Sequence, residues 1–447
     1  MDGRPHKGLE NRLATPTAFV PASAPQPRVL KIAILGFGTV GSAVARILCD
    51  QPAHSPLRLT HVFNRNVERK RVDWVAEDVL WSSDVEQVLA SDADIVVELV
   101  GGIDPAHDWI SRALAAGKSV VTANKKLIAQ HGPQLSALAR QHGGAISFGA
   151  SVAGGVPVID ALQKGLAGDH LYKVCGILNG TCNYILTKVE REGASFASAL
   201  AEAQSAGFAE ADPTDDVDGF DARAKLVILT RIGLNAVVQP EQIPCTSIRS
   251  IEAVDFTYAH ELGCTIRQIS RAARRDGHIY ASVQPALVPI ESPMAHITGS
   301  LNLVLSSGKY GGQTAFSGHG AGGHSTAVAV VSDLLNIARG RAGRNARTPA
   351  ATDVLPVSGN FASEHYLRFT VRDRPGIVAA IANALAAHGI NIDALLQKPG
   401  FDKDSLPFVV TLEQCPSEQL EAAMGEIRTL DFMVREPLTM PILTKEL

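Results

Sequence analysis

Short apolar runs alternate with longer amphipathic segments along the first third of the chain. The stretch VLKIAILGFGTVGSAVARIL, which starts at residue 29, indicates an apolar strand, a glycine turn and a helix. Further strands are predicted at LRLTHVF, ADIVVELV and KSVVTA, with helices between them. Because this alternation favours parallel strand pairing, we expect an α/β fold with a Rossmann-type, doubly wound parallel sheet over residues 29–150.

The regular alternation of strands and helices ends at the glycine-rich stretch GASVAGGVP. This stretch indicates the start of a second, α+β domain over residues 151–317. Residues 318–340 join a glycine loop to a strong helix and are expected to complete the first domain. Residues 341–364 are basic, then small and polar, and are interpreted as a linker. Residues 365–447 give strand, turn, helix and strand, followed by strands at VVTLEQ and VREPLTMPIL, which predicts a compact α+β module.

Composition and charge narrow the class of partner. Residues 1–28 are rich in Pro, Ala and polar types and lack the apolar centre of a secretory signal, so we predict a flexible tail. A net charge of -4, with 19% charged residues and no basic run, argues against a nucleic-acid partner. No apolar stretch approaches the roughly 18 residues of a membrane span, so no membrane partner is expected. We therefore expect a small-molecule substrate.

The six cysteines are scattered without CxxC pairs, which favours a reducing compartment and predicts a cytoplasmic location. Neither a disulfide framework nor a zinc site is expected from this spacing. Cys175 and Cys182 could ligate a metal or act as nucleophiles, but buried thiols are the interpretation we favour.

A GxGxxG pattern in its required context predicts a dinucleotide cofactor, with binding residues Gly36, Phe37, Gly38, Thr39, Val40 and Gly41. Its glycines allow a tight turn, close approach of a pyrophosphate, and close packing of the helix on the sheet. The alternative is a glycine turn that only packs. At the end of the second strand, Asn64 and Arg65 stand where an NAD site usually has an acidic residue. We therefore predict NADP as cofactor, with NAD possible.

Two further motifs offer polar side chains to a ligand. Lys125, in TANKK, follows a predicted strand and is expected to project from the carboxyl edge of the sheet, where ligands bind in such folds. The alternative is an ordinary surface lysine pair. In GILNGT, Asn179 and Thr181 offer hydrogen bonds to a ligand, although a tight structural turn gives the same sequence.

The most charged stretch of the chain is EADPTDDVDGFDARAK, from Glu210 to Lys225. Asp221 and Lys225 lie four residues apart, on one face of a helix that becomes apolar at helical spacing. A lysine just ahead of a buried stripe can be desolvated and poised for proton transfer. The alternative is a solvated acidic loop with an ordinary surface ion pair.

Together these motifs resemble the homoserine dehydrogenases over about residues 30–340. The resemblance is carried by GFGTVG, VVELVGG, TANKK, ASVAGGVP, GILNGTCNYIL, AQSAGFAEADPTDDVDGFDARAKL and GHGAGGHSTAVAVVSD. That family reduces aspartate semialdehyde to homoserine with a nicotinamide cofactor, on the way to threonine and methionine. The second domain is then expected to serve catalysis and dimerisation, in a homodimer or homotetramer.

The resemblance also implies residue roles. Lys225 would be the general acid that protonates the developing alkoxide, and Asp221 would hold its charge and position. Glu210 would bind the substrate's amino group and hydroxyl, and Asp216 would support the site. Lys125 would lie at the junction of substrate and cofactor. Gly320, in the glycine loop, would contact the cofactor.

Two segments of the chain depart from the family pattern. The family usually has a glutamate at Gly149, which contributes to a monovalent-cation site with nearby carbonyls. Here the carbonyls of Val152, Gly154 and Val156 are the remaining candidate ligands for sodium or potassium. The family also tends to place proline where this chain has His319 and Ser325, so a different loop shape near the nicotinamide is expected.

The last module resembles an ACT domain, in DRPGI before its helix and GINI after it. Such domains commonly pair across subunits and bind amino acids, so the resemblance implies feedback inhibition by threonine. The alternative is a module that serves assembly alone. Two rival functions remain at this point: a dehydrogenase for another amino-acid precursor, and a catalytically idle amino-acid sensor.

Overall fold

A computed structural model describes residues 28–50, 55–342 and 354–443. Nearly all of the predicted tail at 1–28 therefore lies outside the described residues. The first sheet has six parallel strands in the order β3-β2-β1-β4-β5-β6. Its strands are β1 (Leu30–Leu35), β2 (Leu57–Phe63), β3 (Leu80–Ser82), β4 (Ile95–Glu98), β5 (Ser119–Thr122) and β6 (Ile146–Ser147).

Helices cover both faces of this sheet, which is why its central strands are apolar along most of their length. The helices in this part of the chain are α1 (Thr39–Cys49), α2 (Val67–Lys70), α3 (Val85–Leu89), α4 (Ala106–Ala115) and α5 (Lys125–Gln141). On one face, Val44 of α1 and Val330 of a later helix, α12 (Gly323–Ala338), pack against Ile34. On the other face, α4 and α5 pack against the alternate strand residues. The predicted doubly wound parallel sheet is confirmed.

The second sheet is mixed and runs β11-β10-β7-β8-β9-β16-β13-β15-β14, with β12 paired to β9. The first five strands of this order pair antiparallel with one another. These strands are β7 (Leu171–Ile177), β8 (Cys264–Arg275), β9 (His278–Pro289), β10 (Leu301–Gly308) and β11 (Gly312–His319). The helices are α6 (Val158–Asp160), α7 (Gly180–Glu192), α8 (Phe196–Ser205), α9 (Thr214–Val217), α10 (Phe220–Leu234) and α11 (Ala253–Glu261).

Helix α10 connects the two sheets. The sequence predicted one apolar stripe on this helix, but the structure buries it on almost all sides. The physical reason is its position: α10 packs against β7 and β8 of the second sheet and also against α5 of the first domain. Its charged residues Asp221 and Lys225 are therefore buried between the two domains.

The C-terminal module continues the second sheet. Its strands are β12 (Val357–Ser358), β13 (Ala362–Val371), β14 (Ile392–Leu396), β15 (Leu406–Pro416) and β16 (Leu438–Ile442), with helices α13 (Ile377–Ala387) and α14 (Ser417–Ile427). Both helices pack on one face of this part of the sheet. At the junction, β16 pairs with β9 near its end, through Ile442 and Leu287, and β12 pairs with the start of β9. Of the predicted linker, residues 343–353 lie outside the described residues, and Val357 and Ser358 form β12.

A buried ion pair fixes the C-terminal module on the second domain. The carboxylate of Asp255, on α11, accepts hydrogen bonds from Arg368 Nε (2.7 Å) and the Tyr366 hydroxyl (2.9 Å), both on β13. Asp255 is fully buried and Arg368 is 6% exposed. Arg368 also donates to the carbonyl of Ser250. Because unpaired buried charges are costly, this contact resists any separation of the two units.

We predict that Arg368→Met lowers the free energy of unfolding by about 3–5 kcal/mol, because it leaves the Asp255 carboxylate buried without its partner. Urea unfolding followed by circular dichroism measures the effect. Arg435→Met is the matched control, since Arg435 forms an exposed ion pair with Glu252, and we expect a loss within about 1 kcal/mol. Equal, small effects of the two substitutions would contradict the anchoring role of Arg368.

Candidate active site

The predicted dinucleotide motif forms the turn between β1 and α1. Gly36 has φ of 102°, which favours glycine, and a Cβ on Gly41 would lie 2.0 Å from the Gly36 carbonyl oxygen. The space beside Gly38 is open, and no side chain caps the N-terminus of α1 there. Free main-chain N–H groups at such a helix end bind phosphate, so these residues fit the pyrophosphate of a dinucleotide.

A basic cleft lies beside this turn. Its lining includes Arg46, Arg69, Lys70, Trp74, Gly323 and His324. The guanidinium of Arg46 stacks over the Trp74 ring at 4.4 Å from its centroid. The exposed Arg65, which the sequence predicted as a cofactor contact, is not among the lining residues. The two cations on α2 were missed, because only the turn after β2 was considered and not the short helix that follows it.

The glycine loop before α12 reaches the same region. A Cβ on Gly323 would lie 3.0 Å from the side chain of Thr39, so the start of α12 approaches the start of α1. Gly320 is buried, and a Cβ there would overlap the Asn302 side chain. Its carbonyl oxygen lies 2.8 Å from the position of a Cβ on Gly154. Gly320 therefore packs the loop tightly against Asn302 and Gly154, and its contact with the cofactor stays a prediction.

A buried carboxylate orders the loops that end β4 and β5. Glu98 accepts hydrogen bonds from the backbone of Val100 (2.8 Å) and Gly101 (3.0 Å) and from the Thr122 hydroxyl (2.6 Å). Thr122 in turn accepts from the Asn124 backbone, and Asn124 caps α5, which begins at Lys125. These contacts place Lys125 at the carboxyl edge of the sheet, as the sequence predicted.

Lys125 and Lys225 meet at one carboxylate. Asp221 Oδ1 lies 2.8 Å from Lys125 Nζ, and Asp221 Oδ2 lies 2.7 Å from Lys225 Nζ. Lys225 also donates to the carbonyl of Leu178 at 2.8 Å. Burial opposes ionisation of Asp221, but the two lysines more than offset it and hold the pKa of this carboxyl well below its usual range. The spacing of Asp221 and Lys225 on one helix face is confirmed.

The charge of Asp221 also acts on its neighbours. Asp221 raises the pKa of Lys125, since its attraction outweighs the effect of burial on the ammonium. Burial and the nearby Asp221 raise the pKa of Asp216. Lys125 keeps 37% of its side chain exposed, whereas Lys225 keeps 11%. Lys125 therefore faces the open side of the site, and Lys225 forms its inner wall.

Asn179 links the two carboxylates. Its Nδ2 donates to Asp216 Oδ1 at 2.6 Å and to Asp221 Oδ2 at 2.8 Å, while its Oδ1 caps α7 by accepting from the Cys182 backbone. The Thr181 hydroxyl donates to the carbonyl of Phe208. The polar groups of Asn179 are thus used within the protein, which favours the structural alternative over direct ligand binding. Cys182 is fully buried, and burial raises the pKa of its thiol well above the usual value.

The acidic stretch divides into a buried and an exposed part. Glu210 is exposed in the loop between α8 and α9, and among the described residues its carboxylate forms no ion pair with Lys125 or Lys225. Asp215 pairs with Lys126 at the surface. Asp221 and Lys225 are buried. The alternative of a solvated acidic loop therefore holds for the first residues of the stretch and not for its end.

The expected cation ligands are backbone carbonyls in the segment that follows Gly149. The carbonyl of Val156 accepts a hydrogen bond from Val158 at 2.7 Å and keeps a second lone pair, so all three carbonyls remain candidates. The nearby carboxyl belongs to Asp333 of α12, whose Oδ2 accepts from the Gly149 backbone at 2.7 Å. Among the described residues, no group of three His, Cys, Asp or Glu side chains could hold a metal ion. The cation site stays a prediction.

The parallel sheet carries a dinucleotide turn and, at its carboxyl edge, a lysine–aspartate–lysine cluster. This combination defines a nicotinamide-dependent oxidoreductase. Family models match in the same order along the chain. The model described as "Homoserine dehydrogenase, NAD binding domain" matches residues 36–149, "Homoserine dehydrogenase" matches 157–335, and "ACT domain" matches 365–432.

Known proteins agree with these models. The homoserine dehydrogenase of Synechocystis sp. is 37% identical over 93% of this chain and all of its own length. A solved homoserine dehydrogenase from Thiobacillus denitrificans has a TM-score of 0.84, with 33% identity over 92% of this chain and 98% of its own. A hyperthermophilic archaeal homoserine dehydrogenase in complex with NADPH has a TM-score of 0.59, with 29% identity over 69% of this chain and 97% of its own.

The chain belongs to the homoserine dehydrogenase family. It is an NAD(P)-dependent oxidoreductase with a C-terminal ACT domain, and the two rival functions are not favoured. Within the part of the chain that the structure describes, no helix is both long and apolar enough to span a membrane.

We predict a pH-dependent stability from Asp333, which is 6% exposed. Burial raises the pKa of this carboxyl to about 7, so the folded protein keeps a proton that the unfolded chain releases above about pH 4. Relative to Asp333→Asn, the native protein should lose up to roughly 1.4 kcal/mol of unfolding free energy per pH unit between about pH 4 and pH 7. Above pH 7 the difference should stay constant. Urea unfolding over this range measures it, and parallel curves throughout would contradict the raised pKa.

Proposed function

We propose that this protein catalyses the reversible reduction of L-aspartate 4-semialdehyde to L-homoserine, a step towards threonine and methionine. The observation that carries the proposal is the buried Asp221 carboxylate between Lys125 and Lys225, with Lys125 at the carboxyl edge of the sheet that also carries the dinucleotide turn. This carboxylate holds two ammonium groups in fixed positions, and one of them can serve as a proton donor. When bound, NAD(P)H supplies the hydride that reaches the aldehyde carbon.

Lys225 donates a proton from Nζ to the aldehyde oxygen as negative charge develops there, and its amine takes the proton back in the reverse direction. Asp221 holds this ammonium in place from the same helix face, and the Leu178 carbonyl fixes its direction. The low pKa of Asp221 keeps its carboxylate ionised at neutral pH. Asp221 therefore accepts a hydrogen bond from Lys225 and does not compete with Lys225 as the proton donor.

Lys125 is the second cation at the junction of substrate and cofactor. Its partial exposure lets it contact a substrate without leaving Asp221. We propose that the carboxylates of Glu210 and Asp216 bind the substrate's ammonium group. Asp216 already lies next to the cluster, while Glu210 lies on an exposed loop that must approach the substrate when it binds.

Lys225→Met should reduce kcat by about 100- to 10,000-fold, because the side chain keeps its bulk but has no proton to donate. Lys225→Arg should fail similarly, since a guanidinium keeps its charge and does not release its proton. The measurement is the loss of NADPH absorbance with aspartate semialdehyde, with NADPH binding checked by fluorescence. Lys126→Met, which removes only a surface pair with Asp215, is the control. Native turnover in Lys225→Met would overturn the assignment.

We further propose that NADP is preferred over NAD. The support is chemical: Arg69 and Lys70 on α2 and Arg46 on α1 line the cleft next to the dinucleotide turn. Three cations there suit the 2′-phosphate that distinguishes NADP, and Asn64 and Arg65 stand directly after β2 where an NAD site usually has an acidic residue for the ribose hydroxyls. The archaeal relative was solved with NADPH.

Removing both cations of α2, in Arg69→Ser/Lys70→Ser, should lower kcat/KM for NADPH by about 10- to 100-fold, because two charge-assisted contacts to phosphate are lost. The value for NADH should change less than about threefold, since NADH has no 2′-phosphate. Steady-state rates with each cofactor measure the ratio. Arg71→Ser, one residue beyond α2 and outside the lining, is the matched control. Equal losses with both cofactors would contradict a role in phosphate recognition.

We also propose how this protein is regulated and that it forms a homo-oligomer. The ACT match supports threonine as a feedback inhibitor, with assembly alone as the alternative role of the module. The strands of the ACT domain continue the sheet of the second domain. A change of conformation on effector binding can therefore reach the second domain through hydrogen-bonded strands. A homodimer or homotetramer and a cytoplasmic location stay predictions.

A further inference from the structure

Asn179 occupies the turn between β7 and α7, where it is only 3% exposed. Its side-chain oxygen accepts a hydrogen bond from the Cys182 backbone at 2.8 Å and so caps α7. This bond determines the orientation of the amide, because the oxygen must face the helix. The nitrogen is therefore turned towards the opposite side, where Asp216 and Asp221 lie.

Both hydrogens of the Asn179 amide are used. Nδ2 donates at 2.6 Å to Asp216 Oδ1 and at 2.8 Å to Asp221 Oδ2. The second acceptor oxygen is the same one that binds Lys225 Nζ. An amide nitrogen offers two donors and no acceptor, so it suits a position between two carboxylates better than any hydroxyl or carboxyl.

We propose that Asn179 is a positioning residue for the reaction: it joins Asp216 and Asp221 into one unit and thereby sets where Lys225 points its ammonium. The inference rests on the proposed function and deepens it, since it adds a residue that touches neither substrate nor cofactor. Two nearby carboxylates repel each other, and a neutral donor shared between them offsets part of that repulsion. The bridge also connects α9, which carries Asp216, to α10, which carries Asp221.

The groups that face Asp216 determine the pH dependence. They are Asp221 and Lys225 on α10, Lys125 on α5, Thr181 and the Cys182 thiol on α7, and Asn179 itself. Burial and Asp221 raise the pKa of Asp216, whereas the Asn179 hydrogen bond lowers it. Loss of that bond should therefore move the protonation of Asp216 to higher pH, so the acid limb of kcat/KM against pH should move the same way.

Three substitutions separate the bridge from the helix cap. Asn179→Ser keeps a capping oxygen but is too short to reach both carboxylates. Asn179→Asp is isosteric and keeps the cap, but it puts an acceptor where the protein has a donor. Ser195→Ala, far along the chain at the start of α8, removes a cap without touching the site and is the matched control.

The experiment measures thermal stability, NADPH binding, kcat, KM and the pH profile for each variant in the full-length protein. We expect Asn179→Ser to unfold within a few degrees of the native protein, with kcat reduced by about 10- to 100-fold through misplacement of Lys225. Asn179→Asp should lose at least as much, with a larger shift of its acid limb, because a third carboxylate joins the cluster. Ser195→Ala should change stability without changing the pH profile.

The inference is overturned if both Asn179 variants keep the native kcat and pH profile, since the residue would then serve only as a cap. It is also overturned if activity falls only in proportion to the folded fraction. If the serine variant fails to fold, the isosteric aspartate variant decides. Absence of turnover in the native protein would instead reject the proposed function, so the two failures are distinguishable.

Discussion

The carboxylate of Asp221 is the contact on which the site depends, because it binds lysines from two domains at once. Lys125 begins α5 of the dinucleotide-binding domain, and Lys225 lies on α10 next to the second sheet. A buried carboxylate without such partners would cost several kcal/mol, so the domains are held in the arrangement that pairs it. The same arrangement places an ammonium beside the carboxyl edge of the parallel sheet. The relative position of the two domains and the placement of the lysine ammonium groups therefore both depend on the Asp221 carboxylate.

Other buried polar groups extend this constraint outward. Glu98 orders the loops that lead to Lys125, and Asn179 ties Asp221 to Asp216. Farther away, Asp255 and Arg368 fix the ACT domain on the second domain, where β16 continues the sheet. A ligand that alters the ACT domain would thus act on a unit joined to the catalytic domain by hydrogen-bonded strands and a buried ion pair. This connection through strands and an ion pair supports a regulatory role for the ACT domain.

Features set by local spacing were predictable from the sequence. The glycine turn before α1 and the Asp221–Lys225 pair both follow from periodicity within one element, and the structure confirms them. The pairing of Lys125 with Asp221 was not predictable, because it depends on how α5 packs against α10. The same holds for Asn179, whose amide could face a ligand or a carboxylate until the position of α9 is known. The charges on α2 were missed because they lie on a short helix beyond the turn after β2, and only the fold brings that helix to the basic cleft.

The most direct test of this account is a crystal structure of the protein with NADP⁺ and homoserine bound. The account predicts that the homoserine hydroxyl lies within hydrogen-bond distance of Lys225 Nζ, with its carbon facing the nicotinamide. Asp221 should still bind both lysines in that complex. A hydroxyl held by another group, with Lys225 turned away, would contradict the central role assigned to the cluster.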